Sequence, residues 1–305
     1  MKLDSCFATQ VDTVHDVPEP LRSALIDKIG SPEAVRFLLY VPAVSTIDER
    51  SPRPAPPMIP EILVPATVLG ITRDGWVVAC EAEEGEVTVE ESSFSDTLFL
   101  ELTSMLLYGQ LSIGFASVGR SYSVLTQFNT VAEELFRDTI GLLLNSIDER
   151  QAVTTGDGSA DDSLFEAWPK QFRVEARRYR PAGQRLLAAT QWPAIIDGFR
   201  RELSPAGAFL VTEREFVLIS EEKISPRLHR GDIQKFGGII TYFPLIRLAD
   251  FHVSRHERFG VLSLQVHATH GGERLEIIFP ADHEKPVSKA LDLVRRSMNP
   301  IDFQM

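Results

Sequence analysis

Six of the seven histidines, the residue type best suited to proton transfer and metal binding near neutral pH, lie in the second half of this 305-residue chain. They are His229, His252, His256, His267, His270 and His283. His252 and His256 are four apart, which puts both on one face of a strand. His267 and His270 are three apart and diverge on a strand unless Thr269-His270-Gly271-Gly272 already turns. A zinc site needs three or four ligands converging at about 2.0–2.2 Å, with further groups orienting each imidazole. A hairpin running from Asp250 to His267 could gather some of them, so a metal-dependent enzyme using these histidines is one expectation. Solvent-facing histidines on an exposed sheet are the plainer reading, and no metal ligand set is assigned.

The other reactive residue types fall short of a catalytic pattern. The acidic run Glu81, Glu83, Glu84, Glu86, Glu90 and Glu91 lacks the Asp-x-Asp-x-Asp-Gly loop of a calcium site and reads as a solvated hairpin. The sequence holds no Gly-x-x-x-x-Gly-Lys-Ser/Thr loop, no Gly-x-Ser-x-Gly elbow and no His-Glu-x-x-His. Gly156-Asp157-Gly158-Ser159 comes nearest to a phosphate loop, but no helix follows to aim amides at an anion. Cys6 and Cys80 make neither a disulfide scaffold nor a zinc spacing; Cys80, after Val77-Val78-Ala79, reads as a small buried hydrophobe. Trp76, Trp168 and Trp192 read as packing aromatics. No catalytic or cofactor-binding residue is predicted, and the chain is expected not to be an enzyme. The best basic patch is Arg227, His229, Arg230 and Lys235, the candidate contact for an acidic protein partner or for anionic lipid.

The elements that would position these residues follow from length and pattern. At about 150 residues per domain the chain makes two. Its 44% hydrophobic and 24% charged content is that of an ordinary soluble protein. The net charge of −12 is uneven: residues 1–155 carry 10 Lys and Arg against 23 Asp and Glu, whereas residues 156–305 carry 21 against 20. An acidic first half disfavours a nucleic-acid partner, whose binding relies on cations. It could instead meet the basic patch of another copy, so self-association is an expectation. The opening residues lack the apolar stretch of a secretory signal, and no apolar run is long enough to span a bilayer. A reducing cytoplasm is the expected location.

The polar, Gly-containing stretch at 149–163 reads as a linker, and Ser51 to Pro60, with five prolines, as a long loop. A weak internal repeat spans both halves. Leu69-Gly70-Ile71-Thr72-Arg73-Asp74-Gly75-Trp76-Val77-Val78 lines up with Phe209-Leu210-Val211-Thr212-Glu213-Arg214-Glu215-Phe216-Val217-Leu218, each an apolar strand, a turn and a second strand. Leu111 to Phe115 lines up with Leu262 to Val266, and Phe128 with Phe279. Arg36-Phe37-Leu38-Leu39 is set against Arg185-Leu186-Leu187-Ala188. Each half opens with a helix, Pro18 to Ile29 and Leu164 to Tyr179, and closes with one. The first closing helix has Asn129 as cap and the stripe Val131, Leu135, Phe136, Ile140, Leu143, Leu144 and Ile147. The second has Asp282 as cap and the stripe Val287, Ala290, Leu291, Val294 and Met298.

Strand-rich units closed by an amphipathic helix, with the Thr-Glu-Arg turn at 212–214 between apolar strands, resemble bacterial pleckstrin-homology-like domains. The resemblance implies an α+β fold of two tandem units, 16–148 and 164–300, joined by the linker 149–163. Each unit would be a bent antiparallel sheet or partly open barrel closed by its C-terminal helix. It further implies a binding or scaffolding module whose partner is a protein or peptide. Peripheral binding to an anionic membrane through the basic patch is the alternative. The turns at 72–75 and 212–215 each carry one arginine beside acids, too few cations to clamp several phosphates.

Overall fold

Continuous apolar runs whose successive residues bury on opposite faces build the central strands of this fold. The computed structural model describes residues 7–43, 64–82, 86–105, 107–149, 162–199, 201–221 and 237–298. Cys6, the proline-rich stretch, Glu83, Glu84, most of the linker, and all of Arg227, His229, Arg230 and Lys235 lie outside the described residues. The first half contributes β1 (Thr9–Val11), α1 (Leu21–Ile29), β2 (Val35–Val41), β3 (Thr67–Thr72), β4 (Gly75–Glu81) and β5 (Val87–Ser93). It continues with β6 (Thr97–Met105), β7 (Tyr108–Ser117), β8 (Arg120–Asn129) and α2 (Glu133–Ile147). The second half contributes α3 (Lys170–Tyr179), β9 (Leu186–Trp192), the short β10 (Ile195–Ile196) and β11 (Glu202–Ser204), β12 (Gly207–Thr212), β13 (Glu215–Glu221) and β14 (Gly237–Pro244). It ends with β15 (Leu248–Arg255), β16 (Phe259–Ala268), β17 (Gly271–Pro280) and α4 (Glu284–Met298). No helix among the described residues is long and apolar enough to cross a membrane.

The architecture is mixed α and β, its strands mostly antiparallel, and the described sheets form no closed barrel. β1 to β5 make one sheet in chain order, and β15 to β17 a three-stranded meander. Between them lies a seven-stranded sheet in the order β8-β7-β6-β14-β13-β12-β9. β6 pairs antiparallel with β14, Leu100 opposite Tyr242 and Leu102 opposite Ile240, so one sheet crosses from the first half into the second. Alternate residues of its strands feed two cores. Ala208, Leu210, Val217 and Ile240 face a core shared with α2, α3 and the inner face of the five-stranded sheet. Phe209, Val211, Phe216 and Phe243 face a second core closed by α4 and the three-stranded meander. A third, smaller core lies under α1, where Leu38, Val68 and Val77 point away from their neighbours Leu39, Leu69 and Val78.

The repeat is present at the level of strand register. The Thr72 hydroxyl donates to the Gly75 carbonyl and accepts the Gly75 N–H; Thr212 does the same with Glu215. β6 slips against β7 between Thr97 and Phe99, and β15 slips against β16 between Leu248 and Asp250, at matching positions. The rings of Phe128 and Phe279 lie on Gly109 and Gly260, where an added Cβ would stand 2.4 Å from the ring in each case. The β2 slip pairs Val35 with Thr72, and the β9 slip pairs Leu186 with Thr212. Val35 therefore matches Leu186, and the expected alignment of Arg36 with Arg185 is two residues out of step. Apolar side chains on neighbouring positions there left the sequence match loose.

The helices differ from expectation at their ends. α1 starts at Leu21, not Pro18, with the carbonyls of Pro18 and Pro20 accepting its first N–H bonds. α3 starts at Lys170 behind Pro169, and residues 162–165 form a separate 3-10 turn. Asn129 caps as expected, accepting the Val131 N–H, but it caps a 3-10 turn, which leaves Val131 exposed and outside the buried stripe. Trp76 and Trp192 are buried, and Trp168 is half-buried against the first core. Cys80 is half-buried.

One side chain joins the halves at a helix end. The last turn of a helix leaves carbonyls without intrahelical donors. Arg214, in the turn between β12 and β13, donates to the Leu144 and Asp148 carbonyls and to Asn145 Oδ1 at the end of α2. Its Nε lies 3.7 Å from Asp148 Oδ2, and both side chains are almost fully buried. The matching residue in the first half is Asp74, so this contact exists once. Arg214→Ala removes the donor that reaches the Asp148 carbonyl and Asn145, and the cation beside the buried Asp148 carboxylate, and should cost about 1–3 kcal/mol, read as a lower midpoint in urea. A loss under about 1 kcal/mol would show the contact to be incidental. Cutting the chain at Gly156 and producing the pieces separately should give aggregates in size-exclusion chromatography, because the β6 and β14 edges lose each other. Two monomeric, folded pieces would contradict this.

Candidate functional site

A cavity of about 770 Å³ is an open cleft where the first half meets the tip of the second. Lys28, the turn at 72–75, Glu91 to Ser93 of β5, Asp96, Phe115 to Val118 and His270 line it. Each wall has a local cause. Gly75 is required because a Cβ there would stand 2.2 Å from the Ser92 carbonyl oxygen of β5. Trp76 fixes the floor: its indole N–H donates to the Thr97 hydroxyl at 2.9 Å and its ring meets Phe115 edge to face at 5.2 Å. Lys28 on α1 pairs with Glu91 at 3.1 Å across the mouth. On the opposite rim Val118, nine-tenths exposed, holds a left-handed φ of 49° in the β7–β8 turn.

The polar centre of the cleft is Asp96. It accepts the Ser93 hydroxyl at 2.7 Å, the His270 N–H at 3.0 Å and His270 Nδ1 at 2.9 Å. The His270 carbonyl accepts the Gly119 N–H at 2.8 Å, so the β16–β17 tip is clamped on both sides. Arg247 adds bonds to the Thr97 and Phe94 carbonyls. Burial alone would raise the Asp96 carboxyl, but hydrogen bonds from Ser93 and His270 outweigh it and hold it below the ordinary carboxylate value. The order is serine, carboxylate, histidine. A serine nucleophile needs the imidazole between the other two, to take the hydroxyl proton. Here the hydroxyl and the ring both donate to the same carboxylate, an arrangement that locks a hairpin tip in place.

Among the described residues the other histidines of the second half do not converge. His252 is exposed on β15; His256 follows that strand and stacks on Phe259 at 4.9 Å. His267 Nε2 meets Gln265 at 3.0 Å, and His283 Nδ1 meets Asp282 at 2.9 Å. Among the described residues no group of three or more His, Cys, Asp or Glu is placed to hold a metal ion. Sequence reasoning missed Asp96, whose partner lies 174 residues away. The only local trace of the clamp is a Ser93-to-Asp96 turn and a Gly-rich turn after His270. No protein-family model matches the chain. No curated protein matches it either.

β5 forms one side of the cleft and is the last strand of its sheet among the described residues. The backbone bonds at its two ends set its polarity. Phe94 donates to the Asp74 carbonyl and Ala82 to the Glu86 carbonyl. In the β4–β5 register this turns Ser92, Glu90 and Thr88 toward β4, and Glu91, Val89 and Val87 toward the open side. The cleft is thus bordered by a row of outward backbone donors and acceptors.

Because Asp96 is held below the ordinary carboxylate value, its contribution to stability is present in full above about pH 4 and is lost as pH falls through its lower folded value. Melting the protein from pH 7 down to pH 3 should show that acid-side loss. Asp96→Asn should lower stability at pH 7 by about 1.5–3 kcal/mol and flatten the profile. An acid-side loss of equal size in Asp96→Asn would assign the effect to other carboxylates.

Proposed function

We propose that this chain is a non-catalytic interaction module of two tandem pleckstrin-homology-like units, and that a protein partner adds an extended strand to the open edge of β5. The observation that carries this is a difference between matched strands. β14, the counterpart of β5 in the repeat, has its outer edge filled by β6, whereas β5 has no strand beside it among the described residues. The unit assignment draws on a recurring order: an opening helix, a four-strand meander, a 3-10 turn, a three-strand meander and a closing helix in each half.

Strand addition suits the cleft. Backbone bonds to Glu91, Val89 and Val87 supply affinity independent of sequence, and the adjoining cleft selects the side chains that alternate into it. Glu90 and the Lys28–Glu91 pair place charge along the edge, which discourages indiscriminate pairing and favours a chosen partner. A cytoplasmic setting belongs to the same proposal.

Val89→Pro removes one outward N–H and leaves the bonds to β4 in place. Full-length wild type and Val89→Pro should be isolated from native cells, and everything bound identified by mass spectrometry. The expected result is a reproducible protein partner, an untagged second copy of this chain included, that falls at least about tenfold with the proline, roughly 1.4 kcal/mol, in a variant whose melting curve still shows a folded protein. An identical protein set on both, or enrichment of lipid, metal or metabolite with no protein, would overturn the reading.

A further inference from the structure

The internal repeat also points to which strand β5 takes, an inference that rests on the reading of β5 as a docking edge. β6 is the strand that fills the edge of β14, and the counterpart of β6 in the second half is β15. β15 is the terminal strand of its own meander among the described residues. The joint inside the chain is therefore head to tail, and it leaves one half-joint at each end, β5 and β15. We propose that the partner is a second copy of this chain, whose β15 docks on β5 in the register of β6 on β14, and that Asp250 and Arg295 latch β15 against this docking.

Register and polarity agree. His256 donates to the Phe259 carbonyl, which in the β15–β16 register turns Phe251, Val253 and Arg255 outward, matching the outward Glu91, Val89 and Val87 of β5. Transferring the β6–β14 pairing onto these strands sets Val89 opposite Val253, Thr88 opposite Ser254 and Glu90 opposite His252. An apolar pair, a hydroxyl pair and an acid facing an imidazole are favourable cross-strand neighbours. The last replaces a polar pair of the internal joint, where the Thr241 hydroxyl donates to Glu101 at 3.1 Å.

The latch occupies the outward groups of Phe251. Its N–H donates to Asp250 Oδ1 at 2.8 Å, and its carbonyl accepts from Arg295 of α4 at 3.3 Å. The Arg295 guanidinium also lies 4.8 Å from the Phe251 ring. The matched residues in the first half are Phe99 and Leu144, which carry no such groups, and there the strand is paired. Side chains that satisfy an edge strand's own backbone are a device against unwanted pairing. A head-to-tail contact of this kind extends into chains or rings once released.

The test is the mass of the full-length protein by sedimentation or light scattering over about 1–500 μM, on wild type, Asp250→Ala/Arg295→Ala, and that double variant with Val89→Pro. Melting temperatures verify folding. The latch variant should associate at a concentration at least about tenfold below wild type, and the added proline should return it to wild-type mass. A folded latch variant whose mass matches wild type throughout would overturn the proposal, as would association that the proline leaves unchanged. If the latch variant does not fold, Arg295→Gln is read by hydrogen exchange at residues 87, 89 and 91. Protection there that rises with protein concentration supports the joint, and no change rejects it. A different protein lost from Val89→Pro while the latch variant stays monomeric would reject self-docking and leave the docking-edge reading intact. Failure of both measurements would remove both.

Discussion

The antiparallel ladder between β6 and β14 is the interaction on which the remaining structure depends. It joins strands that lie more than 130 residues apart and turns two sheets into one of seven strands. Each face of that sheet then becomes the wall of a core. The inner core draws on α2 from the first half and α3 from the second, so neither half owns it. Without the ladder, two long edges would be open at once and the apolar faces behind them would meet water. The Arg214 contact at the end of α2, the Asp96–His270 clamp and the Arg247 bonds all bridge the same two halves. Each has its geometry only because the ladder has already set the distance between them.

That dependence explains the character of the cleft. Its polar centre is spent on holding a hairpin tip. Its remaining resource is backbone, an edge strand with outward amides and carbonyls, flanked by a glycine turn that lets strands approach closely. Such a surface suits the strand addition proposed above. The repeat reinforces this view, since the molecule already contains one worked instance of a strand from one half filling the matched edge in the other.

The sequence disclosed local structure far better than the joint. Thr72 and Thr212 announce their turns because a threonine hydroxyl closing a hairpin onto its own backbone is a short-range device. Val287, Ala290, Leu291 and Val294 mark the buried face of α4 by spacing alone. Phe128 and Phe279 were matched correctly, each a large ring closing a strand. The β2–β9 match slipped by two, because successive apolar residues there score alike in several registers. Arg214 looked like one cation among glutamates, and nothing local shows that it reaches the end of a helix some 70 residues back. Asp96 and His270 were invisible as a pair for the same reason. The choice of β14 as the neighbour of β6 is a property of two assembled sheets and has no signature within either strand.

The two glycine–phenylalanine pairs have a consequence for how this chain can change over time. Gly109 with Phe128, and Gly260 with Phe279, fill one volume between two positions: the ring occupies the space a Cβ would claim. Either residue altered alone opens a void or forces a collision, so single steps away from the pair are closed. Such a position drifts only when both members move together. In a lineage of related chains these two sites should therefore read as linked letters, preserved or exchanged as a unit, even while the apolar residues around them wander freely among Val, Ile and Leu.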